Sequence, residues 1–132
     1  MWPAISTTKF SLIDRDIIWV TCHIRGGMER GMKWWRDGKM MNKKNTFKDF
    51  ISCANFLIEK KYTSEKKIIA FGGSAGGLLV GNVVNQIPHL LLGAIMAVPF
   101  VDNLTTNMDH SLPLTVGAVS YTHLTLPTIY SV

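Results

Sequence analysis

The stretch from Ile68 to Val98 constrains the fold more than any other part of the chain. Ile68-Ile69-Ala70-Phe71 is apolar and largely β-branched, with no turn former inside it, as a buried strand requires. Gly72-Gly73-Ser74-Ala75-Gly76-Gly77 follows at once, and so glycine-rich a run predicts a tight turn. A helix is predicted from about Leu78 to Gln86, and Gly93-Ala94-Ile95-Met96-Ala97-Val98 reads as another buried strand. Two strands that are apolar throughout, joined by a helix, predict a parallel pair with a helical crossover.

Upstream, Ile17-Ile18-Trp19-Val20-Thr21-Cys22-His23-Ile24 is predicted as a further buried strand, ended by the turn Arg25-Gly26-Gly27. Residues 6–14 read as the end of a helix, and 29–44 as a short helical turn followed by loop. Phe47, Phe50, Ile51, Ala54, Leu57 and Ile58 recur at three and four, which predicts an amphipathic helix of about fourteen residues with Asn45 or Thr46 as its cap. The order is strand, helix, strand, helix, strand. The fold class is therefore α/β, a parallel sheet covered by helices on both faces.

Charge is distributed unevenly. All fourteen Lys and Arg lie between Lys9 and Lys67 with seven acids, a local balance of +7, while the rest of the chain carries only Asp102 and Asp109. The basic residues are interleaved with Trp34, Trp35, Phe47 and Phe50 and form no dense block, so neither a nucleic-acid nor a membrane partner is expected. The charge-poor stretch 68–101 would expose more apolar surface than a soluble monomer tolerates, and reads as the interior of something larger. Its longest apolar run, 90–101, falls short of the roughly 20 residues that span a bilayer. Cys22 and Cys53, without a secretory signal, read as buried thiols of a reducing compartment, so a cytoplasmic setting with neither disulfide nor metal site is expected.

The residues that carry chemistry are Gly72-Gly73-Ser74-Ala75-Gly76, which fit G-x-S-x-G between a predicted strand and a predicted helix. A serine presented at a strained strand-to-helix turn leaves no room for side chains two positions either side, where Gly72 and Gly76 stand. Ser74 is the candidate catalytic nucleophile and the backbone N–H of Ala75 the candidate oxyanion-hole donor, with Gly72, Gly73 and Gly76 forming the elbow. A phosphate-binding turn fits less well: the sequence after Gly72 supplies neither the lysine of a P-loop nor the acid of a dinucleotide fold. Asp102 or Asp109 with His110 or His123 follow Ser74 in the order such a triad needs, yet too few strands separate them from Ser74, and they are expected to be loop residues. His23 and His89 have no visible catalytic partner.

These residues resemble the prolyl oligopeptidase family of serine peptidases, and within it the oligopeptidase B branch, from about Met1 to Gly117. The resemblance is carried by Ser11-Leu12-Ile13-Asp14-Arg15, His23-Ile24-Arg25-Gly26-Gly27, Trp35-Arg36-Asp37-Gly38-Lys39, Lys43-Lys44-Asn45-Thr46-Phe47, Gly72 to Leu79, and Val98-Pro99-Phe100-Val101-Asp102. It implies a partial α/β-hydrolase fold, truncated at both ends, from an enzyme that also has a β-propeller. It further implies cleavage of short peptides after Lys or Arg through an acyl-enzyme, without a cofactor. By the resemblance Ser74 is the nucleophile and Ala75 an oxyanion donor, while a second donor, a tyrosine hydroxyl, lies upstream of Met1 and the triad aspartate and histidine lie downstream of Val132. The alternatives are a prolyl-specific peptidase or an esterase on the same fold, or a catalytically inactive fragment. The sequence departs from the family at Met28-Glu29-Arg30-Gly31 and at Ala118, where the resemblance leads one to expect an acid.

Residues 1–118 are thus expected to belong to the catalytic domain, and 119–132 to a non-native tail. Val119-Ser120-Tyr121-Thr122-His123-Leu124-Thr125-Leu126-Pro127-Thr128 resembles the translated read-through of a transposon-based sequencing adaptor. Peptide mapping of the protein purified from its natural source is expected to yield no peptide from 119–132; recovery of one would show the tail to be genuine.

Overall fold

A computed structural model describes residues 7–102 together with Thr105, Thr106 and Ser111. Short helical turns open it, a 3-10 turn at Thr7–Lys9 and α1 at Phe10–Ile13, followed by α2 (Met32–Arg36) and a second 3-10 turn at Met40–Asn42. Then come α3 (Lys44–Glu59), β1 (Ile68–Gly73), α4 (Ala75–Gln86) and β2 (Leu91–Ala97). β1 and β2 pair in parallel, Ala70 opposite Ala94 and Phe71 opposite Ile95, with an irregularity between Ile68 and Ile69. The α/β architecture with parallel strands and a helical crossover is therefore present.

The core lies where α4 meets its neighbours. Val80 and Val83 are fully buried on α4, and Phe47 of α3 joins Leu79, Val83, Ile87 and Leu90 in one cluster that Phe50, Ile51 and Ile58 flank. Because side chains alternate along a strand, α4 covers only the face of β1 that carries Ala70 and Gly72. No helix covers the opposite face among the described residues: Ile69, Phe71 and Ile95 are each about half exposed, with Trp19 against Phe71. The expectation of helices on both faces is met on one face among the described residues, and the face without a helix is the apolar excess read from 68–101.

Two local expectations are corrected. Residues 17–24 form no strand: Trp19 packs tilted against Phe71 at 5.8 Å between ring centroids, but among the described residues the regular pairing beside this segment is an isolated bridge from Arg25 to Gly27. β-Branched composition becomes a strand only where a neighbouring edge supplies a ladder, and Ile17, Ile18 and Val20 are left exposed instead. Helix α3 begins three residues before Phe47, and neither Asn45 nor Thr46 caps it.

Both side chains are occupied elsewhere. Asn45 Nδ2 donates to the Asp37 carbonyl at 2.9 Å, and the buried Thr46 hydroxyl shares its proton between the carbonyls of Arg25, 2.8 Å, and Gly38, 3.1 Å. Gly38 passes so close to the Arg25–Gly26 peptide that a Cβ there would lie 2.1 Å from the Gly26 nitrogen. Asp49 completes the knot. It accepts from the Arg25 backbone N–H at 2.9 Å and from the guanidinium at 2.8 and 2.5 Å. That fork holds the Asp49 carboxyl below the usual carboxylate range, with burial opposing, and raises Arg25 above its own.

Thr46→Val keeps the shape of the side chain but leaves two carbonyls without their shared donor. We expect a local cost of about 1–3 kcal/mol, read as faster hydrogen exchange at the amides of residues 25–27 and 38–39, with exchange in β1 unchanged.

Candidate active site

The turn between β1 and α4 is built on a close backbone approach. A Cβ on Gly72 would sit 2.2 Å from the Gly76 carbonyl oxygen and 2.8 Å from Val80 Cγ2, so the last residues of β1 and the first turn of α4 share a space that admits no side chain. A Cβ on Gly76 would meet nothing within 4 Å, so of the two glycines that flank Ser74 at two positions the steric demand falls on Gly72. Gly73 continues the strand, and its Cβ would make only ordinary contact with Ala97.

Ser74 takes the strain of the reversal, with φ 51° and ψ −116°. A non-glycine residue there is sterically uncomfortable and persists only where its surroundings fix it. They do so from three directions. Ser74 N–H donates to the Ala97 carbonyl at 3.0 Å, Phe100 N–H donates to the Ser74 carbonyl at 3.2 Å, and the same carbonyl accepts from Gly77 and Leu78 in the first turn of α4. Gly77 lets Pro99 approach, since a Cβ there would lie 2.6 Å from the Pro99 Cα.

The strained backbone decides what the hydroxyl does. A serine before a helix usually turns its oxygen onto the N–H groups of the first turn. Ser74 makes no such capping bond, and its side chain is exposed at the end of β1. Ala75 is the first residue of α4, so its N–H has no carbonyl one turn back to bond, and it stands beside the hydroxyl at the positive pole of the helix. An exposed hydroxyl next to an uncommitted N–H can support attack on a carbonyl and stabilisation of the charge that develops there.

The clasp by Ala97 and Phe100 was not part of the sequence reading. No signal in the sequence points to it: Val98, a β-branched residue before Pro99, is held at φ 42° and stands 85% exposed, a conformation that its residue type disfavours.

Among the described residues no other sequence candidate bonds to Ser74. Asp102 accepts from the backbone and the hydroxyl of Thr105, a turn-capping role, and His23 Nδ1 lies 3.5 Å from Glu29. His89 is exposed after α4. Asp109, His110, Ala118 and the tail 119–132 with His123 lie outside the described residues. Among the described residues no cluster of His, Cys, Asp and Glu could hold a metal ion, and no helix is long and apolar enough to cross a membrane.

The sequence profile of the prolyl oligopeptidase family matches residues 3–125. The chain belongs to the prolyl oligopeptidase family. Protease 2 of Moraxella lacunata is 50% identical over 113 residues, which are 86% of this chain and 16% of that protein. Dipeptidyl aminopeptidase BI of Pseudoxanthomonas mexicana is 46% identical over 89% of this chain and 16% of its own length. Among solved structures, oligopeptidase B from Leishmania major superposes with a TM-score of 0.71 at 47% identity, over 76% of this chain and 14% of that one. This prolyl oligopeptidase segment therefore spans 16% of the length of the two relatives named.

Gly72→Ala forces backbone apart and is expected to destabilise the turn by about 1–3 kcal/mol, whereas Gly76→Ala, which opens into free space, is expected to change it by less than about 0.5 kcal/mol. Limited proteolysis of the two variants, followed at the segment 72–80, checks this; equal sensitivity would dissociate the glycine requirement from the Gly72–Gly76 approach.

Proposed function

We propose that this chain carries the nucleophile half of a serine peptidase site. Ser74 Oγ attacks the scissile carbonyl of a short peptide, and the Ala75 N–H receives the developing oxyanion while an acyl-enzyme forms. The observation that carries the reading is Ser74 itself: its φ of 51° releases the hydroxyl from helix capping and holds it exposed beside the first N–H of α4. Relatives named as proteases and endopeptidases support the same chemistry.

The general base and the acid that orients it come from outside the described residues. Serine is a weak nucleophile without a base, and no described candidate bonds to Ser74, so we propose catalysis for a longer enzyme in which this chain would be one segment. In that enzyme we propose preference for Lys or Arg before the scissile bond, no cofactor, packing of this segment against the rest of the hydrolase domain and a β-propeller, and a cytoplasmic setting.

A fluorophosphonate probe tests this reading. The longer enzyme is expected to label at Ser74 and to lose all labelling on Ser74→Ala, while the 132-residue chain labels at no more than background. Labelling that survives Ser74→Ala in the longer enzyme would refute Ser74 as the nucleophile. Ser74-dependent labelling of the short chain would show that it holds its own base.

A further inference from the structure

The two cysteines lie 31 positions apart in sequence, yet their Sγ atoms are 2.6 Å apart, both half-buried and both free thiols. Cys22 belongs to the segment 17–24, which has no strand ladder, and Cys53 stands midway along α3. The knot described above sets their alignment from one side: Arg25, three residues beyond Cys22, is forked onto Asp49, one helical turn before Cys53. Two thiols held in this way are already at the approach from which a disulfide closes.

We infer that Cys22 and Cys53 are a dithiol site that closes to an intramolecular disulfide by exchange with a low-molecular-weight disulfide such as glutathione disulfide, stapling residues 17–24 to α3. The exchange balances. The thiolate of one cysteine attacks a glutathione sulfur, the glutathione S–S bond breaks, and one glutathione thiolate leaves. The other cysteine gives up its proton to solvent and displaces the second glutathione from the mixed disulfide. Two protein thiols are oxidised by two electrons, and one glutathione disulfide is reduced to two thiols.

Proximity is what favours the closure. Burial pushes the Cys22 thiol up to about 12, with the neighbouring Cys53 adding in the same direction, so thiolate at Cys22 is scarce near neutral pH. Its reaction depends on being held against the second sulfur, which raises its effective concentration far above that of a freely diffusing thiol. The sequence reads as two buried thiols with no disulfide; the two are half-buried and paired, and a disulfide between them departs from that reading.

The test equilibrates the chain with mixtures of reduced and oxidised glutathione, traps the products with acid, and maps the peptides by mass spectrometry. The ratio of Cys22–Cys53 disulfide to dithiol gives an effective concentration, measured in native buffer and in guanidinium chloride. We expect the native value to exceed the denatured one by about a hundredfold or more, and Cys22→Ser and Cys53→Ser each to take a single glutathione adduct instead. Circular dichroism of the two variants, unchanged from the parent, shows that the fold survives the substitution. Equal effective concentrations in the two solvents, separate glutathione adducts on both cysteines, or disulfides between chains would each overturn the assignment.

Discussion

The structure turns on the contact between the end of β1 and the first turn of α4. Gly72 meets the Gly76 carbonyl and Val80 so closely that the helix must leave the strand at one angle. That angle lays Val80 and Val83 into the core and lets β2 return parallel to β1. The same reversal forces Ser74 into a left-handed backbone conformation, which withholds its hydroxyl from the helix it precedes. One steric restriction thus determines where the hydrophobic cluster forms and which side chain is left reactive.

A second restraint, independent of the first, ties the N-terminal part of the chain to α3. Arg25, Gly26, Gly38, Thr46 and Asp49 meet in one knot of backbone and side-chain bonds. It has little to do with apolar burial. A loop with few core residues of its own is held by polar groups that each satisfy a specific backbone atom, and buried polar groups stabilise only when they are matched in this way.

What the sequence made legible follows from range. The β1, α4 and β2 segments were readable because each is specified by its own apolar pattern, and Ser74 because glycine flanks it within two positions. Residues 17–24 misled because β-branched residues state a preference that only a neighbouring strand can satisfy. Thr46 misled for a similar reason: a threonine before an apolar period looks like a cap, and only the distant carbonyls of Arg25 and Gly38 reveal its other use. The support of Ser74 by Ala97 and Phe100, through backbone atoms more than twenty residues away, leaves almost no compositional trace.

The helix-free face of the sheet bears on how such a chain comes to be folded. β1 and β2 pair in parallel across the whole of α4, and parallel pairing of this kind is slow to form and exposed to aggregation while it does. Ile69, Phe71 and Ile95 are meanwhile presented to other chains, only half covered. Slow pairing and exposed apolar surface thus fall on the same element, so the speed at which that surface is covered governs the yield of folded protein.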